Sequence, residues 1–293
     1  MNILITGGSG FIGRFVAGRL MKEGHQVTVF DVSSPKFECD FYIEGSMIQT
    51  DRLESAIKGC DAVMHLAGIL GTAETIDSPV MPAKVNVMGS LTLFELCRRH
   101  EKRCCYIGVG NHFMLNTYAI SKTCAERFAL MYNAEHKTKI AVVRGLNAYG
   151  PYQKHKPVRK VIPNFVIPAL RNQTITIYGS GEQVMDFIYV GDLAEILCRA
   201  LIKEHGAYDF VIEAGSGQKT TINFIAEKII ELAGSESKVE HVGMRPGEIP
   251  DSVVVADIKT LKALKFGPAD FTPLDEGLKK TIEFYRQNLE QYK

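Results

Sequence analysis

Tyr118 and Lys122, four apart in the run Tyr118-Ala119-Ile120-Ser121-Lys122, have the types and spacing that acid–base chemistry needs. On a helix this spacing puts both side chains on one face. An ammonium beside a phenol favours the phenolate and draws a pKa of roughly 10 toward working pH. Such a phenol can remove a hydroxyl proton while hydride leaves the same carbon. Taken alone, the spacing is common by chance and usually marks a helix surface with a half-buried tyrosine. It gains meaning only downstream of a site for a hydride acceptor.

That site is legible at the start of the chain. Thr6-Gly7-Gly8-Ser9-Gly10-Phe11-Ile12-Gly13 follows the first apolar run and opens a helical pattern. Gly7, Gly10 and Gly13 suit a tight turn, close approach of backbone to a pyrophosphate and close packing of helix on sheet. The N–H groups at the helix start, including those of Phe11 and Ile12, would hold phosphate oxygens. Asp31 ends the second strand about 20 residues on, where a carboxylate takes ribose hydroxyls. A carboxylate there repels a 2′-phosphate, and the basic residues nearby are Arg14 and Lys36. The expected cofactor is NAD rather than NADP.

Alternating elements must position these groups. Strand-like apolar runs occupy 3–5, 27–30, 62–66, 104–107 and 140–143. Helical spacing fills 11–21, 53–57, 85–97 and 118–132 between them. This alternation implies an α/β fold, a Rossmann-type doubly wound parallel sheet buried on both faces. After Gly150-Pro151 the texture changes. Residues 152–160 are polar and basic (Lys154, His155, Lys156, Arg159, Lys160) and read as a solvated surface loop, with a lid or anion-attracting role as the alternative. Short strands at 175–177, 187–190 and 239–242 then mix with helices at 194–201, 222–232 and 274–285. We therefore expect a cofactor domain over 1–150, with a segment at roughly 185–205 returning to it, and a smaller mixed α/β substrate domain over 151–293.

Composition narrows the function. The 293 residues are 46% hydrophobic and 23% charged, which is globular. A net charge of +1 gives no basic field for nucleic acid. Seven cysteines, without metal-knuckle spacing, read as reduced thiols, and no metal site is expected. No apolar run reaches the roughly 18 residues of a membrane span. Met1-Asn2 leads straight into a strand, leaving no room for a signal peptide, so a cytoplasmic location is expected.

With these motifs in order, the sequence resembles the extended short-chain dehydrogenase/reductase family, in its nucleotide-sugar epimerase/dehydratase branch. The likeness runs on through His65-Leu66-Ala67-Gly68, Asn86-Val87-Met88-Gly89 and Arg144-Gly145-Leu146-Asn147-Ala148-Tyr149-Gly150-Pro151. It continues in Val161-Ile162-Pro163, Ile177-Tyr178-Gly179-Ser180-Gly181, Asp186-Phe187-Ile188-Tyr189-Val190 and Arg245-Pro246-Gly247-Glu248. The resemblance implies tightly held NAD and a nucleoside-diphosphate sugar as substrate. By the same resemblance, Leu66, Ala67 and Gly68 line the nicotinamide side, and Ser46 and Met47 stand where adenine is met. Lys122 also holds the nicotinamide ribose. Asn147 and Arg245 match positions for the diphosphate, and Val161, Thr176 and Tyr178 match positions near the nucleobase and its ribose. Family dimers pair the helices that here cover about 85–98 and 118–133, which implies a homodimer with Leu91, Phe94 and Phe128 as candidate contacts.

Two departures from the family pattern stand out. Relatives carry a Ser or Thr after the fifth strand, about two dozen residues before the tyrosine. Here that strand runs into Gly108-Val109-Gly110, and Tyr118 follows within ten residues. Polar substitutes in reach are Asn111, His112, Asn116 and Thr117, of which Thr117 or His112 is the expected stand-in. Met185 occupies the place of an arginine that grips the diphosphate, so Arg245, Lys160 or another base must compensate.

The reading that follows is an NAD-dependent nucleotide-sugar enzyme, with a UDP-sugar epimerase first. Tyr118 would act as base and then acid, with Lys122 tuning it. Dehydration or decarboxylation of the same ketosugar is the alternative. By the same resemblance, elimination is disfavoured: the acid pair of the family's 4,6-dehydratases belongs in this segment, and no Asp or Glu lies between Glu101 and Glu126. The competing class is a non-catalytic, regulatory NAD-binding protein.

Overall fold

A computed structural model describes residues 1–203 and 206–292. In the first part β1 (Asn2–Thr6), α1 (Phe11–Lys22), β2 (Gln26–Asp31), β3 (Phe41–Glu44), α2 (Thr50–Lys58) and β4 (Ala62–His65) follow in order. Next come α3 (Val80–Ala83), α4 (Ser90–Arg99), β5 (Arg103–Val109), α5 (Thr117–His136), β6 (Ile140–Gly145) and β7 (Asn147–Tyr149). The later elements begin with α6 (Val161–Ala169), β8 (Ile175–Tyr178), β9 (Val184–Met185), β10 (Phe187–Tyr189), α7 (Val190–Ile202) and β11 (Val211–Ala214). They end with β12 (Thr220–Thr221), α8 (Ile222–Ala233), β13 (Val239–Val242), β14 (Val253–Val254) and α9 (Leu274–Gln287).

Seven strands form one parallel sheet in the order β11-β6-β5-β4-β1-β2-β3. The chain leaves β1 in one direction through β2 and β3, then returns past it to β4 and onward. This reversal opens a crevice at the C-terminal ends of β1 and β4, the binding position of doubly wound sheets. Register sets its walls: Thr6 pairs with both Phe30 and His65, so the chain leaves β1 and β4 side by side.

Apolar side chains cover both faces, as the continuous strand runs require. One core joins Ile3, Ile5 and Val29 to Val16 and Leu20 of α1 and Leu193 and Leu197 of α7. The other joins Leu4 and Val63 to Leu53, Leu93, Phe94 and Ala125 of α2, α4 and α5. Phe94 is fully buried in that second core, with Leu91 and Phe128 partly buried against it. The exposed apolar residues of this helix pair and the turn before it are Met88, Ile120 and Met131. A third core gathers Phe165 and Val166 of α6, Ile225 and Ile229 of α8, and Leu278 and Tyr285 of α9.

The segment at 185–205 supplies α7, which packs on α1, but its residues 204 and 205 lie outside the described residues. The return to the sheet extends further than the sequence suggests, because β11 pairs with β6. The helix expected over 85–97 is interrupted. Residues Lys84–Gly89 form a π-helical turn between α3 and α4, a feature frequent at functional sites. It carries Asn86, which is fully buried. Its amide holds both the N–H and the carbonyl of Ile69, at 2.8 and 3.0 Å, and reaches Ser121 Oγ at 3.0 Å.

Glu126 of α5 is only 3% exposed. Its carboxylate takes both arms of Arg144, with Nη2 at 2.6 Å and Nε at 2.9 Å, and Arg144 also meets Glu213 at 3.1 Å. This ties α5 to β6 and β11. Removing one member strands a buried charge, at a cost of about 3–5 kcal/mol. Glu126→Ala is expected to lower unfolding free energy by that amount in a urea titration, against less than about 1 kcal/mol for the exposed Arg286–Glu283 pair.

Candidate active site

The crevice is a cavity of about 780 Å³, within the range of small-molecule sites. Gly7, Gly10, Phe11, Ile12, Gly13 and Asp31 line one end. Gly7 has φ +70°, and a Cβ there would lie 2.6 Å from the backbone of Ala67. A Cβ on Gly13 would meet the Gly8 carbonyl oxygen at 2.2 Å. The turn therefore tolerates no side chain at either position. Helix α1 starts at Gly10 without a side-chain cap, leaving the partial positive charge of its first turn directed at the cavity. Asp31 is held by N–H donors from Ser9 and Ser33, each at 3.1 Å. Ser46, Met47, Leu66, Ala67 and Gly68 continue the same lining. A cradle that a Cβ would fill, an uncapped helix start and a carboxylate at the end of β2 fit a dinucleotide such as NAD.

Tyr118 and Lys122 reach the cavity from the first turns of α5. Asn116 caps this helix, accepting from Ala119 N–H at 2.9 Å and donating to the Gly247 carbonyl at 3.0 Å. Lys122 is buried, with Nζ 4.2 Å from the centre of the Tyr106 ring. The Tyr106 hydroxyl in turn donates to the Lys122 carbonyl at 2.9 Å. Burial pushes the Lys122 ammonium down to about 7, against the pull of Glu126 one turn away. The expectation for the phenol is corrected. Burial raises the pKa of Tyr118 rather than lowering it, because desolvation penalises the phenolate. His65 behind the site is likewise kept neutral by burial and by Lys122, between Thr6 Oγ1 at 2.7 Å and Ser90 Oγ at 2.9 Å.

The other end is polar and charged. Asn147, Val161, Thr176, Tyr178 and Arg245 all line it. Asn147 donates to the Asp186 carbonyl at 3.1 Å. Arg245 meets Glu74 at 2.9 Å and Glu248 at 3.7 Å, with its guanidinium 5.6 Å from the Tyr178 ring centre. Arg159, from the segment expected to be a surface loop, lies over the same ring and is bonded to its hydroxyl. Lys160 joins them, its pKa lowered by burial against the pull of Glu74. Two buried amide oxygens on the lining, Gln153 Oε1 and Gln183 Oε1, have no hydrogen-bond partner. Sequence reasoning missed Gln153 and Gln183, and reached Arg159 only through the anion-attracting alternative for 152–160.

The cavity thus brings together every residue expected to bind cofactor or substrate. Thr117 is not on the lining: its hydroxyl donates to the Thr75 carbonyl at 3.1 Å. Among the described residues no group of three or more His, Cys, Asp or Glu could hold a metal ion. No helix among them is long and apolar enough to cross a membrane.

Comparison with known proteins agrees with this arrangement. The sequence model of the NAD dependent epimerase/dehydratase family matches residues 3–212. A UDP-N-acetyl-alpha-D-glucosaminuronate decarboxylase of Bacillus cytotoxicus is 29% identical over 97% of each chain. A putative UDP-glucose 4-epimerase of Methanocaldococcus jannaschii is 26% identical over 98% of this chain and 99% of its own. The crystal structure of the UDP-glucose 4-epimerase of Thermotoga maritima with UDP-glucose superposes with a TM-score of 0.90 at 28% identity, covering 99% of this chain and 100% of that one. A glycine turn built for a dinucleotide, a Tyr118–Lys122 pair opening into the same crevice, and a match over most of the chain lead to one assignment: this protein belongs to the NAD-dependent epimerase/dehydratase family of enzymes.

Proposed function

We propose that this enzyme is a nucleotide-sugar epimerase, acting on a UDP-sugar by transient oxidation of one ring hydroxyl. The observation that carries this reading is the shared cavity, whose lining includes Tyr118 and Lys122 together with the glycine turn and the Arg245–Tyr178 cluster. NAD, when bound, supplies the reversible hydride acceptor. Tyr118 acts as the phenolate, which Lys122 and the positive charge of an oxidised nicotinamide would favour against the burial that raises its pKa. It takes the hydroxyl proton as the carbon loses hydride, and gives a proton back when hydride returns to the opposite face. No net oxidation results. Lys122 offsets the negative charge that forms on the phenol, a stronger effect in a dry wall than in water.

Arg159, Lys160 and Arg245 supply the positive charge for the diphosphate that Met185 does not. Gln153 Oε1 and Gln183 Oε1 offer acceptors to the N–H and O–H groups of the nucleoside. Epimerisation is favoured over elimination because the carboxylates on the described lining are Asp31, at the cofactor end, and Glu248, beside Arg245. Neither stands at Tyr118 to serve as a second base. Two of the similar proteins above carry UDP-glucose 4-epimerase names, which supports the same choice.

Absorbance near 340 nm provides the test. Adding UDP-glucose, UDP-N-acetylglucosamine or UDP-glucuronate to NAD-loaded enzyme is expected to give transient reduced cofactor with at least one of them, together with a C4 epimer in the product. No absorbance change with any of the three overturns the redox reading and favours a non-catalytic binding role.

Lys122 gives a second test, independent of substrate. Its folded pKa of about 7 lies below the unfolded value near 10.5. Between these values the unfolded chain binds the extra proton, so stability rises with pH across that window and its full cost is felt below 7. Relative to Lys122→Met, wild-type unfolding free energy is expected to climb by up to about 1.4 kcal/mol per pH unit from pH 7 to 9. Parallel stability profiles for the two proteins would show that the ammonium is not buried as described.

A further inference from the structure

The connection from β5 to α5 carries four polar side chains, Asn111, His112, Asn116 and Thr117, and three are committed elsewhere. Thr117 donates to the Thr75 carbonyl, and both halves of the Asn116 amide are taken by Ala119 and Gly247. His112 Nδ1 donates to the Gly110 carbonyl at 3.1 Å, and neither it nor Thr117 is on the cavity lining. Asn111 differs on each count. It lines the cavity with Val109, Gly110, Met114 and Tyr118. Its Nδ2 donates to the Met114 thioether sulfur at 3.3 Å, a weak acceptor that a stronger one readily replaces. Its Oδ1 has no partner among the described residues.

The strand end carries no hydroxyl-bearing side chain: Gly108, Val109 and Gly110 follow one another on the cavity lining. A Cβ on Gly110 would lie 2.8 Å from Leu146 Cγ, and one on Gly108 would lie 3.1 Å from Glu126 Oε2, so a side chain at either glycine would have to displace its neighbour. The next polar side chain along this wall is Asn111.

We propose that Asn111 is a catalytic residue, its amide N–H donating to the sugar oxygen while that oxygen passes its proton to Tyr118. The inference rests on the epimerase reading. As the C–H electron pair leaves with the hydride and the O–H proton goes to the phenolate, the oxygen becomes a carbonyl and carries negative charge on the way. A fixed neutral donor stabilises that charge in a water-poor site. On the return, the same N–H polarises the carbonyl for hydride delivery.

Asn111→Ala and Asn111→Asp test this with whichever of UDP-glucose, UDP-N-acetylglucosamine and UDP-glucuronate the wild type turns over. Aspartate keeps the shape but at neutral pH can only accept. Both variants are expected to lose roughly 100-fold in kcat. The calorimetric Kd for the nucleotide sugar and for NAD should stay within about threefold of wild type, as for an interaction made in the transition state. Unchanged thermal midpoints show that both variants fold. Asn111→Ala keeping kcat within about threefold of wild type overturns the proposal and leaves the epimerase reading intact. So does loss of turnover in Thr72→Ala but not in Asn111→Ala, since Thr72 brings a hydroxyl to the lining from the loop after β4. A wild type inert toward all three sugars overturns both readings together.

Discussion

An ammonium group held in a dry wall is the constraint around which this site is built. Lys122 is 2% exposed, and an isolated buried cation is costly. Three features make it tolerable. The Tyr106 ring offers its electron-rich face at 4.2 Å. Glu126, one helical turn along α5, contributes attraction while remaining fixed by Arg144. The depressed pKa lets the group be neutral for part of the time near pH 7. Each feature fixes an element: Tyr106 fixes β5 beneath α5, and Arg144 fixes β6 beside it. A lysine poised this way responds strongly to any negative charge that forms at Tyr118.

The crevice also requires its two ends to keep a set distance, and side chains rather than long interfaces hold them. Asn116 joins the start of α5 to the Gly247 carbonyl, two residues beyond Arg245. The Arg14 guanidinium, on α1, lies 3.9 Å from the ring centre of Tyr152, just past Pro151. Asp186 is fully buried and accepts from Ser216, Gly217 and Ala256 backbone N–H groups. That one carboxylate gathers three chain segments behind the strand that carries Met185. Loops this well anchored present Arg245 and Tyr178 to a ligand with little ordering left to do.

Legibility in the sequence follows burial. The strands covered on both faces, β1, β2, β4, β5 and β6, announce themselves as unbroken apolar runs. Edge strand β3 does not, because Phe41, Tyr42 and Glu44 are exposed and its pattern has no buried period. Strand β11 is four residues long and interrupted by Glu213, whose role is to meet Arg144. Helix α6 is hidden by Pro163 and Pro168 inside a nearly all-apolar stretch. Of the site, the glycines, Asp31, Tyr118 and Lys122 are readable because each chemistry demands one residue type at one spacing. Gln153 and Gln183 are not, since a glutamine in a loop means nothing until the fold turns it inward. The direction of the Tyr118 shift escapes the sequence for the same reason, because spacing reports the neighbouring charge but not the desolvation.

The two departures from the family pattern meet in three dimensions. Met185, at the end of β9, packs against a small apolar cluster of Met114, Ala119 and Val254. Met114 comes from the shortened connection after β5 and is 3% exposed. Met185 is only partly buried there and also lines the cavity, so an arginine in its place would have to leave this cluster and extend into the cavity to keep its hydrogen-bonding groups solvated or paired. The shortened connection thus supplies the apolar partner, Met114, that suits a methionine at 185. The same Met114 holds Asn111 at the cavity wall through its sulfur. The cations on the cavity lining besides Lys122 are Arg159, Lys160 and Arg245, with Glu74 and Glu248 paired to Arg245.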